Sequence, residues 1–304
     1  MALPASGAIS FNNINTELAV SGTTQRGLND AAVRTLFGQA SGAVDMNTGH
    51  GKSNSINLTV ASNTANYNIR TAAGNPSGVV TVNVTVNSGV WVYDGANATW
   101  GMYTGTGWAA GSVINIINNG KIVGYGGYGG SYNAYVMAQT NGGPGAHALY
   151  LGWNVNITNN GMIAGGGGGQ GGGIFVCEWN DDHADYYTDN GGDGGGGQGW
   201  NGGAAVAVGG YGYPATAGSY AGPGLGGTMN NTRAGGTWGT AGGAGLGISE
   251  NTGVATGDSS GEPYWVGYFA YATPGAGGAA GRCCVRNGYT PNWITAGTRY
   301  GADS

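Results

Sequence analysis

Ile114-Asn-Ile-Ile-Asn-Asn-Gly120-Lys-Ile-Val-Gly124 returns 41 residues later, without a gap, as Val155-Asn-Ile-Thr-Asn-Asn-Gly161-Met-Ile-Ala-Gly165. Each copy reads as a strand, an Asn-Asn-Gly turn, a second strand and entry into a glycine run. Asn and Gly suit the left-handed backbone that such a turn is expected to need. A unit of fixed period cannot bury its own apolar face, so the copies are expected to stack. Upstream, Val80, Val82, Val84 and Val86 alternate with Thr81, Asn83, Thr85 and Asn87, a period-2 strand with one apolar and one polar face. Ile56, Leu58 and Val60 repeat the pattern, and Val90, Val92, Tyr67 and Ile69 add shorter pieces. Asn75-Pro76-Ser77-Gly78 and Asp94-Gly95 separate the runs, and both hairpins and solenoid rungs fit.

Downstream of Gly165 glycine dominates, in clusters at 165–173, 191–203, 222–227, 235–247 and 275–281; the chain holds 69 glycines in 304 residues. A lone glycine run stays disordered, since it has the most backbone entropy to lose and nothing to bury. Several runs side by side can instead form polyproline-II-like helices, polyglycine II, whose free N–H and C=O groups bond to neighbouring helices. Gln170, Asp193, Gln198 and Thr240 are then expected on outward faces. Collagen is excluded, because the chain has only 8 prolines and irregular glycine spacing. Eighteen Tyr, 9 Trp and 4 Phe separate it from linkers and disordered tracts.

Nine basic and 14 acidic residues give a net charge of −5, with only Lys52 and Lys121 as lysines. No cationic surface for nucleic acid or anionic lipid is expected. No apolar run reaches the ~18 residues of a membrane span, and Met1-Ala2-Leu3-Pro4 lacks a secretory pattern. A soluble product made in the cytoplasm is expected. Cys177, Cys283 and Cys284 have no metal-ligand spacing and read as reduced packing residues.

Residues 1–52 form an N-terminal repeat segment. Ala5-Ser-Gly-Ala-Ile-Ser-Phe-Asn12 recurs as Ala40-Ser-Gly-Ala-Val-Asp-Met-Asn47. Between them Leu28–Phe37 predicts one helix, capped by Asn29 or Asp30 and stopped at Gly38. One helix and two small repeats make a poor core, so docking to another protein or to copies of itself is expected.

Thr106-Gly-Trp108-Ala-Ala-Gly-Ser, the two Asn-Asn-Gly units with their glycine runs, and Trp293-Ile-Thr-Ala-Gly-Thr-Arg299-Tyr-Gly resemble glycine-rich tail proteins of tailed bacteriophages. The likeness is to tail-fibre tip adhesins, whose distal domain is a sandwich of polyglycine-II helices with variable receptor-binding loops. It implies a virion tail protein that binds a bacterial outer-surface receptor, a porin loop or a glycan, without covalent chemistry. Residues 1–52 depart from the attachment domain usual in such adhesins and instead look like self-standing tail proteins. They are expected to contact other virion tail proteins, within a homo-oligomer that is commonly trimeric in such fibres. The expected fold is mostly β and irregular: the attachment segment 1–52, a β-rich domain 53–164 forming a stalk, and a polyglycine-II receptor-binding domain 165–304.

The connectors between glycine runs hold aromatics and polar groups, and long loops on a stiff frame are where binding sites sit. Tyr and Trp give large, rigid contact area at low entropy cost. The candidate receptor-binding residues are therefore Trp179, Tyr186, Tyr187, Tyr211, Tyr213, Tyr220, Tyr264, Trp265, Tyr268 and Tyr271. Trp200, Trp238 and Trp293 border glycine or strand segments and read as packing residues. Glu178, Asp181, Asp182, His183, Asp185 and Asp189 read as a solvated tip loop, with calcium binding the lesser alternative.

No enzyme is expected. His50, His147 and His183 stand in no triad pattern, and Gly-x-Ser-x-Gly is absent. Met46-Asn-Thr-Gly-His-Gly51-Lys52-Ser53 lacks the first glycine of a phosphate-binding loop. No cofactor or catalytic metal follows. The alternatives are a purely structural fibre or decoration protein, and an ice-binding or matrix protein, which the aromatic acidic loops disfavour.

Overall fold

The strands on either side of each Asn-Asn-Gly turn belong to different sheets, which makes the repeated unit one coil of a solenoid rather than a hairpin. The computed structural model describes residues 2–18, 20–96, 100–133, 138–172, 176–180, 185–189, 196–200, 215, 217–223, 235–244, 254–257, 263–269 and 275–304. The first coil holds β1 (Ser55–Val60), β2 (Thr64–Ala65) and β3 (Tyr67–Asn68); the second holds β4 (Thr81–Val86), β5 (Trp91–Tyr93) and β6 (Trp100–Tyr103). The third holds β7 (Val113–Asn118) and β8 (Lys121–Val123), makes a glycine-rich excursion with the hairpin β9 (Tyr132–Asn133) and β10 (Ala138–Gln139), and returns as β11 (His147–Tyr150). The fourth starts with β12 (Val155–Asn159) and β13 (Met162–Ala164), makes a second, longer excursion containing β14 (Val176–Asn180), β15 (Asp185–Asp189), β16 (Val254–Gly257) and β17 (Pro263–Phe269), and closes with β18 (Cys284–Val285). β19 (Pro291–Thr295) and β20 (Thr298–Tyr300) make the fifth.

Three parallel sheets result, ordered β1-β4-β7-β12-β19, β2-β5-β8-β13-β20 and β18-β11-β6-β3. The 41-residue repeat stacks in register, with Asn156 on Asn115 and Met162 on Lys121. Val82, Val84, Ile114, Ile122, Met102, Leu149, Ile157 and Ile163 are fully buried in one core with Cys283 and Cys284. Burial pushes both thiols up, as suits packing residues. On the outward face of the first sheet five asparagines form an amide ladder. Asn83 donates to Asn57 (2.9 Å), Asn115 to Asn83 (2.8 Å), Asn156 to Asn115 (2.8 Å) and Asn292 to Asn156 (2.9 Å).

The Asn-Asn-Gly corner works differently from the expectation. Neither Gly120 nor Gly161 has a positive φ. They are glycine because an added Cβ at Gly120 would meet the carbonyls of Asn87 and Val90, and one at Gly161 the carbonyl of Gly120. Inside the corner, buried Asn118 donates to Asn159 Oδ1 (2.8 Å) and to the Met162 carbonyl (3.1 Å), and its own oxygen accepts from Gly120 N–H (3.2 Å). Asn118→Ala strands several of these groups and is expected to cost about 2–3 kcal/mol in thermal unfolding. A loss below ~0.5 kcal/mol would show that the corner does not depend on its amide.

Both excursions leave between the second and third sheets, at one corner. The glycine segments 124–130, 140–146 and 275–281 therefore lie on both sides of residue 164, and residues 284–300 return to the solenoid. The two kinds of backbone are interleaved along the chain rather than divided at that point. Segment 165–172 is buried along its length and bonded on all sides. Gly166, Gly169 and Gly172 donate to Ala146, Gly143 and Thr140, and accept from Gly281, Gly278 and Gly275. Ala164, Gly167 and Gln170 accept from Gly124, Gly127 and Gly130, while Gly168 and Gly171 donate to Thr240 and Gly243. Partners thus change with every residue and recur every third. Gln170 (0% exposed) and Gln198 (8%) point inward, contrary to expectation, whereas Thr240 is exposed and Asp193 lies outside the described residues.

The N-terminal body has two α-helices where one was expected. α1 (Phe11–Glu17) starts with a capping box between Ser10 and Asn13, and α2 (Ala31–Phe37) ends at Gly38 in the left-handed conformation (φ 71°). With a 3-10 turn at Met46–Gly49, these helices bury Leu3, Ile14, Leu18, Val33, Leu36 and Phe37 in a core of their own. Glu17 Oε1 ties this body to the solenoid by accepting from Ser53 Oγ (2.9 Å) and Asn54 N–H (2.8 Å).

Candidate receptor-binding surface

The glycine segments have a base and a far end. At the base, Gly124 N–H bonds Ala164 and Gly165 N–H bonds Tyr300, continuing the ladder of the second sheet. Far from it lie Gly130, Thr140, Gly172 and Gly275. Gly172 lies seven positions beyond Gly165, about 22 Å at ~3.1 Å per residue.

Strands from the connectors 174–190 and 248–273, read from the sequence as separate loops, form one antiparallel sheet ordered β15-β14-β17-β16. Trp179 lies opposite Tyr186 and Gly267; Glu178 lies opposite Tyr187 and Tyr268. Trp265 pairs with Ala255, and Tyr264 with Thr256. Directly opposed residues of an antiparallel pair share a face. The register therefore groups Trp179, Tyr186, Trp265 and Phe269 on one face, and Glu178, Tyr187, Tyr264 and Tyr268 on the other. Six of the ten candidate residues thus come together in a single sheet. Tyr211, Tyr213 and Tyr271 lie outside the described residues, as do Asp181, Asp182 and His183 of the acidic cluster. Among the described residues no group of three His, Cys, Asp or Glu is placed to hold a metal ion.

Tyr220 is elsewhere. Its ring, 59% exposed, lies 5.8 Å from Trp91 and 6.5 Å from Trp200, at the base beside the second sheet. Trp200 stacks on Tyr93 at 4.3 Å, and Lys121 Nζ sits 4.0 Å from the centre of the Trp91 ring. Gln198 secures the same junction, donating to the Tyr220 carbonyl (3.0 Å) and accepting from Trp238 N–H (3.2 Å). These contacts fix the glycine body to the solenoid, and Trp200 packs as expected. A second cluster that sequence reasoning missed joins Trp100, Tyr103 and Tyr150 on the third sheet, with ring centres 5.0 to 5.6 Å apart. The signal for it was the spacing of Trp100 and Tyr103 around the buried pair Gly101-Met102.

The fold is a parallel solenoid whose corner is drawn out into cross-bonded glycine segments, and the longer excursion carries a four-stranded antiparallel sheet rich in aromatic residues. A family model for the phage tail fibre adhesin Gp38 matches residues 55–304, and the chain belongs to that family. The fold is similar to a chain in the crystal structure of the gp37-gp38 adhesin tip complex of the bacteriophage S16 long tail fibre. The TM-score is 0.51 at 17% identity, over 99% of this chain and 100% of that one. No curated protein matches the chain. It is a bacteriophage tail-fibre adhesin of the virion tail, from a family of adhesins rather than enzymes. No helix among the described residues is long and apolar enough to cross a membrane.

Proposed function

We propose that this adhesin binds a bacterial cell-surface receptor, a porin loop or a glycan, through the aromatic sheet at the far end of a polyglycine-II sandwich. The observation that carries this reading is the convergence of Trp179, Tyr186, Tyr187, Tyr264, Trp265 and Tyr268 on one four-stranded sheet from two distant connectors. The three-residue recurrence of backbone partners along 165–172 supports a polyglycine-II scaffold, which has about three residues per turn. Tyr211, Tyr213 and Tyr271 belong to the same proposed surface by composition, whereas Tyr220 is assigned to the base. Binding is non-covalent, with several copies per particle multiplying a modest affinity.

Residues 1–52 and the adjoining solenoid are proposed to face the rest of the tail. The solenoid core is completed within one chain, so a homotrimer is not needed to close it. Purified full-length chain added to host cells before phage is expected to lower adsorption at least ten-fold at saturation. A chain carrying Trp179→Ala, Tyr187→Ala and Tyr268→Ala is expected not to compete. Equal competition by both chains would remove the aromatic sheet from the receptor site.

A further inference from the structure

The amide ladder on the outer face of the first sheet has hydrogen-bonding capacity left over. An asparagine amide carries two N–H donors and an oxygen with two lone pairs. Within the ladder Asn83, Asn115 and Asn156 each use one N–H toward the coil before and one lone pair toward the coil after. These three half-buried side chains have no further partner among the described residues. Each therefore leaves one N–H and one lone pair for a ligand, and stacking in register repeats the arrangement at every coil. A groove of about 300 Å³ lies beside the ladder, lined by Val113, Asn154, Asn156, Thr290 and Asn292. These residues come from three successive coils, so the groove runs along the ladder. Asn154 accepts from Thr290 N–H (2.8 Å), and its own Nδ2 has no partner among the described residues.

The chemistry of the face narrows the ligand. β1, β4, β7, β12 and β19 contain no charged residue, so nothing here matches a phosphate or an acidic sugar. None of their outward positions is aromatic or arginine, the residue types that anchor protein interfaces. The rows flanking the ladder carry threonine hydroxyls and the exposed aliphatic groups of Val113 (40%) and Ile117 (38%). Free donor and acceptor pairs at a fixed spacing suit a ligand that repeats. Neighbouring coils lie about 4.8 Å apart, close to the length of one sugar ring in an extended chain. A hydroxyl both donates and accepts, so one hydroxyl per ring answers each amide. The C–H edges of the rings can then lie on Val113 and Ile117.

We propose that this face is a second binding site, for an extended, uncharged polysaccharide of the host lipopolysaccharide laid along the amide ladder and seated in the groove. The site is separate from the aromatic sheet and does not rest on it. Five asparagines span about 19 Å, room for roughly four sugar rings.

The probe is neutral O-polysaccharide released from host lipopolysaccharide by mild acid, titrated into the purified full-length chain by calorimetry. Affinity is expected to rise at least ten-fold as fragments lengthen to roughly four rings, the span of the ladder, and then to level off. Val113→Arg sets a long charged side chain at the groove and is expected to lower affinity at least ten-fold with thermal unfolding unchanged. Asn115→Thr and Asn156→Thr keep a good strand former while removing a free amide, and each is expected to lower affinity several-fold. The chain with Trp179→Ala, Tyr187→Ala and Tyr268→Ala is expected to bind the polysaccharide as wild type does. No binding by the wild-type chain overturns the proposal, as does wild-type affinity in folded Val113→Arg. Reduced incorporation of that variant into virions with its polysaccharide affinity intact would make the face a contact with another tail protein and equally refute it. Loss of binding in the triple alanine chain alone would move the sugar to the aromatic sheet, refuting the ladder site while supporting the receptor reading. If Val113→Arg unfolds, NMR of the wild-type side-chain amides decides: shifted Asn115 and Asn156 signals on adding polysaccharide support the site, and unmoved signals refute it.

Discussion

Gly169→Ala is expected to destabilise the glycine body by at least ~3 kcal/mol, more than overpacking usually costs an apolar core. Its N–H donates to Gly143 and its carbonyl accepts from Gly278, so the residue is held from two sides. An added Cβ would fall on the Tyr128 carbonyl and its carbon, with the Gly127 carbonyl next in line. All three are backbone atoms of a neighbouring segment, and no side chain can rotate away. Relief requires parting the segments, which breaks the bonds that recur every third residue. The solenoid should survive, since its core is built by other residues. Limited proteolysis is therefore expected to cut within the two excursions of Gly169→Ala while leaving coils one and two intact. Resistance equal to wild type would mean that the segments are not close-packed. Gly78→Ala is the informative control, because no atom lies within 4 Å of its added Cβ and its backbone is not in the left-handed region.

The second large effect concerns host range. Exchanging 174–190 together with 248–273 for the equivalents of a relative with another host is expected to transfer adsorption, by at least two orders of magnitude on each host. Either exchange alone is expected to abolish adsorption on both. β14 pairs with β15 from its own connector and with β17 from the other, so a foreign half meets a native half across the Cys177–Trp179 and Gly267–Phe269 ladder. Mismatched side chains along that ladder forfeit the cross-strand contacts that hold a small sheet together. Adsorption-rate measurements with the single and double exchanges test this. Additive behaviour of the two connectors would show that they bind independently.

Much of the solenoid was legible in the sequence. The 41-residue repeat gave its register to the residue, and the alternation of Val82 and Val84 with Asn83 and Thr85 gave its inner and outer faces. What local sequence does not encode is whether the chain turns back or moves on after Asn-Asn-Gly, because that depends on which neighbouring carbonyl fills the space beside the glycine. α1 was hidden by Phe11-Asn-Asn-Ile-Asn-Thr-Glu17, a poor helix former held by its cap and by burial of Ile14. Gln170 and Gln198 were expected outside on polarity alone. Inside a bundle with few side chains, an amide can be buried when it has partners, as Gln198 has in Tyr220 and Trp238. The aromatic connectors were recognised as a group, but their meeting in one sheet links residues about ninety positions apart and leaves no local trace.

The interleaving of coils and excursions also dictates an order of manufacture. β19 and β20 cannot pair with β12 and β13 until about 130 intervening residues have left the ribosome, on the order of ten seconds at ~5–20 residues per second. Throughout that interval the nascent solenoid keeps a raw flank at β12 and β13.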